Sequence, residues 1–187
     1  MKTKLTLLLI ATASFFIQAQ NTEACTETLS LMATSVKAKD VSGYDYLTTL
    51  RKDCPSFHKS IYSQGEFAIK LKIEKAANPA DKEKYVRDLL KLYDEHDQYF
   101  PNNGAGNKMK KGLALFENKV GTSDEVFQLL DVAFKTDYAN FKYAKAIYVY
   151  FEILVNNHKA NKGIELQQVF DKYDDLTKKL DEEEEEL

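Results

Sequence analysis

Apolar residues recur at intervals of three and four along most of the chain, which is the period of helices that bury one face. After Pro79, for example, Tyr85, Leu89 and Leu92 share one side while charged residues occupy the other. The seven glycines and three prolines fall mostly between such segments, where a helix has to stop. The pattern predicts an all-α fold of about eight antiparallel helices, paired as four helix hairpins. The predicted ranges are 22–38, 42–53, 56–77, 80–99, 106–119, 123–136, 142–159 and 163–184.

Local signals support individual helices. Ser123, Asp124 and Glu125 follow Gly121 and predict a helix start, because carboxylates there complement the exposed amides of the first turn. The chain has 11 tyrosines and 11 phenylalanines, and most lie at helical spacing beside aliphatic residues. We therefore expect most of these rings to belong to the core.

The first residues have the pattern of a secretory signal peptide. Lys2 and Lys4 precede an apolar run from Leu5 to Ile17, and Ala19 is followed by polar residues. This predicts a signal peptide over 1–19, cleaved after Ala19, and a periplasmic or secreted protein.

Two alternatives to cleavage exist. A membrane anchor is disfavoured because the apolar run spans roughly 20 Å as a helix, less than the ~30 Å of a bilayer core. A lipoprotein is suggested by Cys25 after Ala24, but Thr22 and Glu23 are polar where a lipid-attachment signal requires apolar or small residues. No later segment is apolar enough to suggest a membrane span.

Charge excludes one class of partner. The chain has 26 basic and 29 acidic residues and a net charge of −3, without a basic stripe. Nucleic acid is therefore an unexpected partner. Many of the acids lie in the tail 181–187, which follows an amphipathic last helix. Negative charge opposes the dipole at a helix C-terminus, so we expect this tail to fray. It is either a solubilising end or the mark of a shortened repeat array.

The two cysteines are expected to meet. Cys25 lies near the start of the first predicted helix and Cys54 at the end of the second. Antiparallel pairing brings those ends together, and an exported protein meets an oxidising compartment. A disulfide is predicted, with two buried free thiols as the alternative.

The sequence shows no catalytic or metal-binding pattern. His58, His96 and His158 lie near the ends of three different helices. In the ligand-rich segment 93–97, neighbouring side chains diverge by about 100° and cannot close on one ion. Nor does the sequence contain a glycine-flanked nucleophile or a phosphate-binding loop. We expect no catalytic residues, no metal and no cofactor.

The third predicted helix pair resembles a tetratricopeptide repeat. The matching residues are Leu113-Ala114, the turn glycine Gly121, Leu130, Ala133 and the closing Phe134-Lys135-Thr136-Asp137. The first pair keeps Gly43, Leu47 and Pro55. The pattern departs from the family at Tyr138, where a proline is usual, and at Val126 and Phe127. With its leader, the chain resembles exported tetratricopeptide-repeat-like proteins of Gram-negative bacteria, with the repeat domain over 20–180.

The resemblance implies a binding surface rather than a reaction. In this family the first helices of successive pairs line a groove that holds a peptide or a partner helix. The polar positions of those helices include Lys59, Lys70, Lys72, Lys108, Lys110 and Lys111, which are the candidate binding residues. Such a groove would suit an acidic peptide or a free carboxyl terminus. The alternative is that these lysines are ordinary solvated positions whose stems cover apolar surface.

Two functions follow as expectations. The first is an exported, non-enzymatic adaptor that binds a peptide or protein partner. The alternative is a structural or assembly subunit of a cell-envelope complex. An exposed, aromatic-lined groove would favour the adaptor, whereas a flat apolar patch of several hundred Å² would favour the assembly subunit.

Overall fold

The structure is a computed structural model that describes residues 22–101 and 106–185, without the side chain of Glu185. This part of the chain contains eight α-helices and no strand, so the all-α prediction is confirmed. The helices are α1 (22–37), α2 (Gly43–Asp53), α3 (Ser60–Glu74), α4 (Pro79–Tyr99), α5 (Asn107–Asn118), α6 (Ser123–Thr136), α7 (Ala144–Lys159) and α8 (Leu166–Glu185). The predicted signal peptide, 1–19, lies outside the described residues.

Helix starts depart slightly from the predicted ones, for local reasons. The third helix begins at Ser60 rather than at 56, because the chain first turns at Pro55 and the N–H of Phe57 donates to the carbonyl of Cys54. The cap of α6 is Thr122, whose hydroxyl oxygen accepts the N–H of Glu125 at 3.1 Å. The helix itself begins at Ser123 and ends at Thr136, so the predicted range 123–136 is confirmed, with Thr122 as its N-cap.

The chain divides into two compact units, and α4 contributes residues to both. The first unit comprises the chain up to Asp88 together with Gln98–Phe100. The second comprises Leu89–Asp97 and the chain from Pro101 onward. Each unit has its own buried residues.

In the first unit, α1 and α2 are joined by a disulfide. Cys25 and Cys54 are bonded at 2.03 Å, with their Cα atoms 6.0 Å apart, so the predicted bridge is confirmed. Gly43 of α2 is buried, and a Cβ there would make ordinary van der Waals contact with Val36 at 3.4 Å and with Ala68 at 3.7 Å. The core that these helices share with α3 and α4 includes Met32, Leu47, Leu50, Ile61, Ile69 and Val86.

In the second unit, α5 packs against α6, α6 against α7 and α7 against α8, and α5 also touches α7. The fully buried residues include Leu115, Leu130, Ala133, Phe141, Ala146 and Val149. These pairings do not establish a repeat type, so the tetratricopeptide resemblance stays a prediction.

The last helix, predicted to end at 184, extends to Glu185, and neighbouring elements contact its last turns. Whether this acidic end frays stays a prediction. The hydroxyl of Tyr138 donates to Glu182 at 2.9 Å, and Lys142 lies 3.6 Å from Glu183. Lys142 and Tyr138 precede α7, whose positive N-terminal end also favours carboxylates.

None of the helices in residues 22–101 and 106–185 combines the length and the apolar character needed to cross a membrane.

Candidate functional site

An apolar groove runs between α7 and α8 in the second unit. It has a volume of about 220 Å³ and is open to solvent. Helix α7 contributes Ala144, Ile147, Tyr148 and Phe151, and α8 contributes Tyr173, Leu176, Thr177 and Leu180. Because the two helices run antiparallel, the start of α7 lies beside the end of α8. Nearly all of the lining is carbon, which suits an apolar side chain from another molecule.

Aromatic rings form the walls of this apolar groove. Tyr148 is 64% exposed and Tyr173 is 54% exposed, and the ring of Phe151 lies 5.8 Å from that of Tyr173. Phe170, one turn before Tyr173, is also more than half exposed. The expectation that most rings belong to the core was wrong for these residues and for Tyr143, which is likewise about half exposed. It was right for Phe141 and Tyr150.

The helix that forms one wall of the groove is firmly attached to its neighbours. Val169 and Leu176 of α8 are buried. Lys172 lies with its ammonium group 4.6 Å from the ring of Phe134 and 5.5 Å from that of Tyr150. Such cation–π contacts are strongest where the cation is partly removed from water, as the lysine is here. The wall is therefore a preformed surface.

Close to Lys172, a partly buried hydrogen bond links α7 to α6. The hydroxyl of Tyr150 donates to Asp131 at 2.5 Å. Burial, reinforced by this carboxylate, raises the pKa of Tyr150 far above its usual range. Burial alone would raise the pKa of Asp131, but the hydrogen bonds from Lys135 and Tyr150 outweigh it and lower that pKa. Both groups therefore keep the protonation states that the bond requires across the neutral range.

The end of α8 beside the groove is fixed by a second polar network. Lys179 is buried, pairs with Glu183 and lies 4.5 Å from the ring of Tyr138. Burial, together with the carboxylate of Glu182, raises the pKa of Tyr138 to about 12. The hydrogen bond from Lys179 lowers the pKa of Glu183. These contacts therefore give the carboxylates of Glu182 and Glu183, two of the terminal acids, partners within the protein.

A second cavity, the charged cleft, lies in the first unit and has a volume of about 360 Å³. It is lined by Val41, Lys72, Lys75, Ala76, Ala77, Asp81 and Tyr85. Lys75 donates to the carbonyl of Lys39 at 3.2 Å, and Asp81 accepts from Asn78 at 2.8 Å. Its charged groups thus already have partners within the protein.

Close to this cleft, Tyr44 takes part in a partly buried network. Its hydroxyl and the guanidinium of Arg51 both donate to Asp88, each at 2.9 Å. Burial, followed by the charge of Asp88, raises the pKa of Tyr44 to about 12. The network connects α2 to the first half of α4.

The six predicted groove lysines are divided between the two units. In the first, Lys59 is exposed at the start of α3, Lys70 pairs with Glu66 at 2.6 Å, and Lys72 lies 5.4 Å from the ring of Tyr44. Of these three, Lys72 alone lines the charged cleft.

The other three predicted lysines lie on α5 and make contacts within the second unit. Lys108 donates to Thr136 at 3.0 Å, and Lys111 pairs with Asp94 at 2.7 Å. Lys110 lies 5.7 Å from the ring of Tyr93. None of the three lines the apolar groove.

The segment 93–97, which is rich in potential metal ligands, contacts the start of α5 through hydrogen bonds. The side-chain amide of Asn107, the first residue of α5, lies 2.9 Å from His96 and donates to Asp97 at 2.7 Å. His96 and Asn107 are both buried. No group of three potential metal-ligating side chains converges anywhere in the described part of the chain.

The sequence predicted that the last helix is amphipathic, but it did not predict the apolar groove between α7 and α8. A signal was available, because the apolar positions Phe170, Tyr173 and Leu180 make the stripe wider than one neighbouring helix can cover. Tyr148 gave no such signal, since α7 is apolar around most of its circumference.

Comparison with known protein families, with characterised proteins and with solved structures gives no match to this chain.

Proposed function

We propose that the chain is an exported, non-enzymatic helical-repeat adaptor that binds a peptide or protein partner, and that the apolar groove receives an amphipathic helix of that partner. Helix-in-groove recognition needs a preformed apolar channel between two helices. The proposal assigns no reaction to the protein.

The observation that carries this proposal is the exposure of Tyr148 and Tyr173 on opposite walls of the groove. Contiguous exposed apolar residues mark interaction sites, and aromatic anchors are enriched at protein interfaces. A fully buried aromatic ring covers roughly 150–250 Å². Multiplying that area by the exposed fractions of Tyr148, Tyr173 and Phe170 gives roughly 250–450 Å² of exposed apolar surface. That suits one docked helix.

Export is supported by two independent features. The pattern over 1–19 is that of a cleavable leader, and Cys25 is bonded to Cys54. Structural disulfides form and persist mainly in oxidising compartments. A periplasmic or secreted location accounts for both. The repeat character is supported by the successive packing of α5, α6, α7 and α8.

A direct test uses a designed amphipathic helical peptide, labelled for fluorescence anisotropy. We expect the protein to bind it, and we expect Tyr148→Ala to weaken binding at least tenfold because the ring forms a wall of the groove. Phe67→Ala is the matched control, since Phe67 is a similarly exposed ring in the first unit. Equal binding by the native protein and Tyr148→Ala would exclude the groove as the binding surface.

The second candidate is an assembly subunit, which Leu166 and Phe170 favour because they extend the exposed apolar surface beyond the groove. Sedimentation analysis distinguishes the two functions. A dimer that Tyr148→Ala dissociates would support assembly, whereas a monomer that binds the peptide supports the adaptor. The apolar surface estimated above for Tyr148, Tyr173 and Phe170 is about half of the ~800 Å² that each partner buries in a standard interface.

A further inference from the structure

The solvent-facing edge of α8 beside the apolar groove becomes acidic along the helix. Phe170, Asp174, Thr177, Asp181 and Glu184 follow one another at intervals of three and four, so they lie along one face. Thr177 lines the groove, so this face borders it. The three acids, Asp174, Asp181 and Glu184, are exposed and are here named the acidic edge.

The acidic edge differs from the rest of α8 in the ion pairs that its acids form within the described part of the chain. Neighbouring acids of α8 have partners, such as Asp175 with Lys172 and Glu183 with Lys179. Among the described residues, none forms an ion pair with the three acids of the edge. At this end of the groove the negative end of the α8 dipole lies beside the positive end of the α7 dipole, so the negative charge of the edge comes from its side chains.

The opposite edge, on α7, is closer to balance. Lys145 pairs with Glu117 at 2.5 Å, and the hydroxyl of Tyr148 lies 3.4 Å from Glu152. The groove therefore has one negative side and one nearly neutral side. A ligand bound in it would gain from positive charge on the flank that faces α8.

We propose that the partner is a basic amphipathic helix, with its apolar face in the groove and lysines or arginines against the acidic edge. This rests on the proposed function and adds the charge of the partner to it. Asp174 and Asp181 are two turns apart, about 10 Å along α8. Basic residues seven apart on the partner match that spacing.

Charge also disfavours two other occupants. In a second copy of this chain, an α8 laid on α8 would oppose the acidic edge with itself. An anionic membrane surface would be repelled for the same reason. A basic helix has neither difficulty.

The test uses three peptides of about 18 residues. The first has an apolar face and lysine flanks, the second has the same apolar face and glutamate flanks, and the third has the composition of the first in a non-amphipathic order. Binding is measured by fluorescence anisotropy at low and at physiological salt. We expect the basic amphipathic peptide to bind about tenfold more tightly than the acidic one, since each exposed ion pair contributes modestly. Salt should reduce the difference.

The variant Asp174→Asn/Asp181→Asn/Glu184→Gln should lose the preference and still bind an amphipathic helix. Its matched control is Asp45→Asn/Asp53→Asn/Glu74→Gln, which removes the same charge from exposed positions of the first unit. The control should keep the preference. Circular dichroism establishes that both variants are folded.

Each other outcome overturns a distinct claim. Equal binding of the basic and acidic amphipathic peptides overturns the basic partner and leaves the groove function intact. Equal binding of the basic amphipathic peptide and its reordered version means that charge alone is recognised, which overturns the present proposal. Binding of none of the peptides overturns the proposed function itself.

Discussion

Gly112 lies in the interior of α5, opposite Leu130 of α6. A Cβ at this position would lie 2.7 Å from both Cγ and Cδ2 of Leu130. Leu130 is completely buried, so its side chain has little room to move. The glycine therefore permits the close approach of the two helices, even though glycine is a poor helix former.

Replacing this glycine should destabilise the protein. We expect Gly112→Ala to reduce the free energy of unfolding by about 1–2 kcal/mol, because overpacking outweighs the gain in helix propensity. Urea denaturation followed by circular dichroism measures the change. Gly43→Ala is the control, since a Cβ there meets its nearest atom at an ordinary 3.4 Å. An unfolding midpoint equal to that of the control would contradict this account of Gly112.

Two tyrosines of α7, at positions 148 and 150, differ greatly in their exposure to solvent. Tyr150 is 1% exposed and bonded to Asp131, whereas Tyr148 is largely exposed. The sequence predicted both for the core because α7 is apolar on most sides. Only the number of helices packed around α7 decides which of its faces remains open.

At the scale of elements, α8 depends on contacts that its own sequence does not reveal. Lys172 belongs to a polar stretch, yet its side chain is only 18% exposed and covers the rings of Phe134 and Tyr150. Lys178 on the same helix is 76% exposed and lies 3.9 Å from Glu182. Two lysines six residues apart thus contribute differently to the packing of the helix.

Substituting these lysines should separate the two roles. We expect Lys172→Ala to lower the free energy of unfolding by about 1–2 kcal/mol through lost cation–π and stem contacts. Lys178→Ala should change it by less than about 0.5 kcal/mol, as exposed ion pairs contribute little. Hydrogen exchange of the α8 amides provides the measurement. Equal protection of α8 in the two variants would show that Lys172 does not anchor the helix.

Helix existence was predictable from local pattern, and helix ends were less so. All eight helices occur where hydrophobic spacing predicts them, because each has to bury one face. The turn at Pro55 delayed the start of α3 from 56 to Ser60. This difference arises from a hydrogen bond among residues that precede the helix, between the N–H of Phe57 and the carbonyl of Cys54.

At the scale of the whole molecule, the disulfide is a covalent constraint on how the chain folds. It closes a loop of about 30 residues and should stabilise the protein by roughly 3–4 kcal/mol in the chain-entropy model. Both cysteines belong to the first unit. The consequence of breaking the bond should therefore be concentrated in α1 and α2.

Reduction, or the double substitution Cys25→Ser/Cys54→Ser, should lower the Tm and the exchange protection of α1 and α2. Amides of α5 to α8 serve as the internal reference and should keep their protection. The measurement is hydrogen exchange with mass spectrometry, beside a thermal melt. An unchanged Tm, with two titratable thiols in the protein before reduction, would disprove the bridge.

The sequence by itself determined the all-α class, the number of helices and the pairing of Cys25 with Cys54. Each of these depends on local spacing, on helix stop signals or on the antiparallel order that short connections impose. The groove and its acidic edge were decided only by tertiary structure. They depend on which faces of α7 and α8 remain uncovered after packing, and on which carboxylates find partners on other helices. Neither quantity is a property of any one segment.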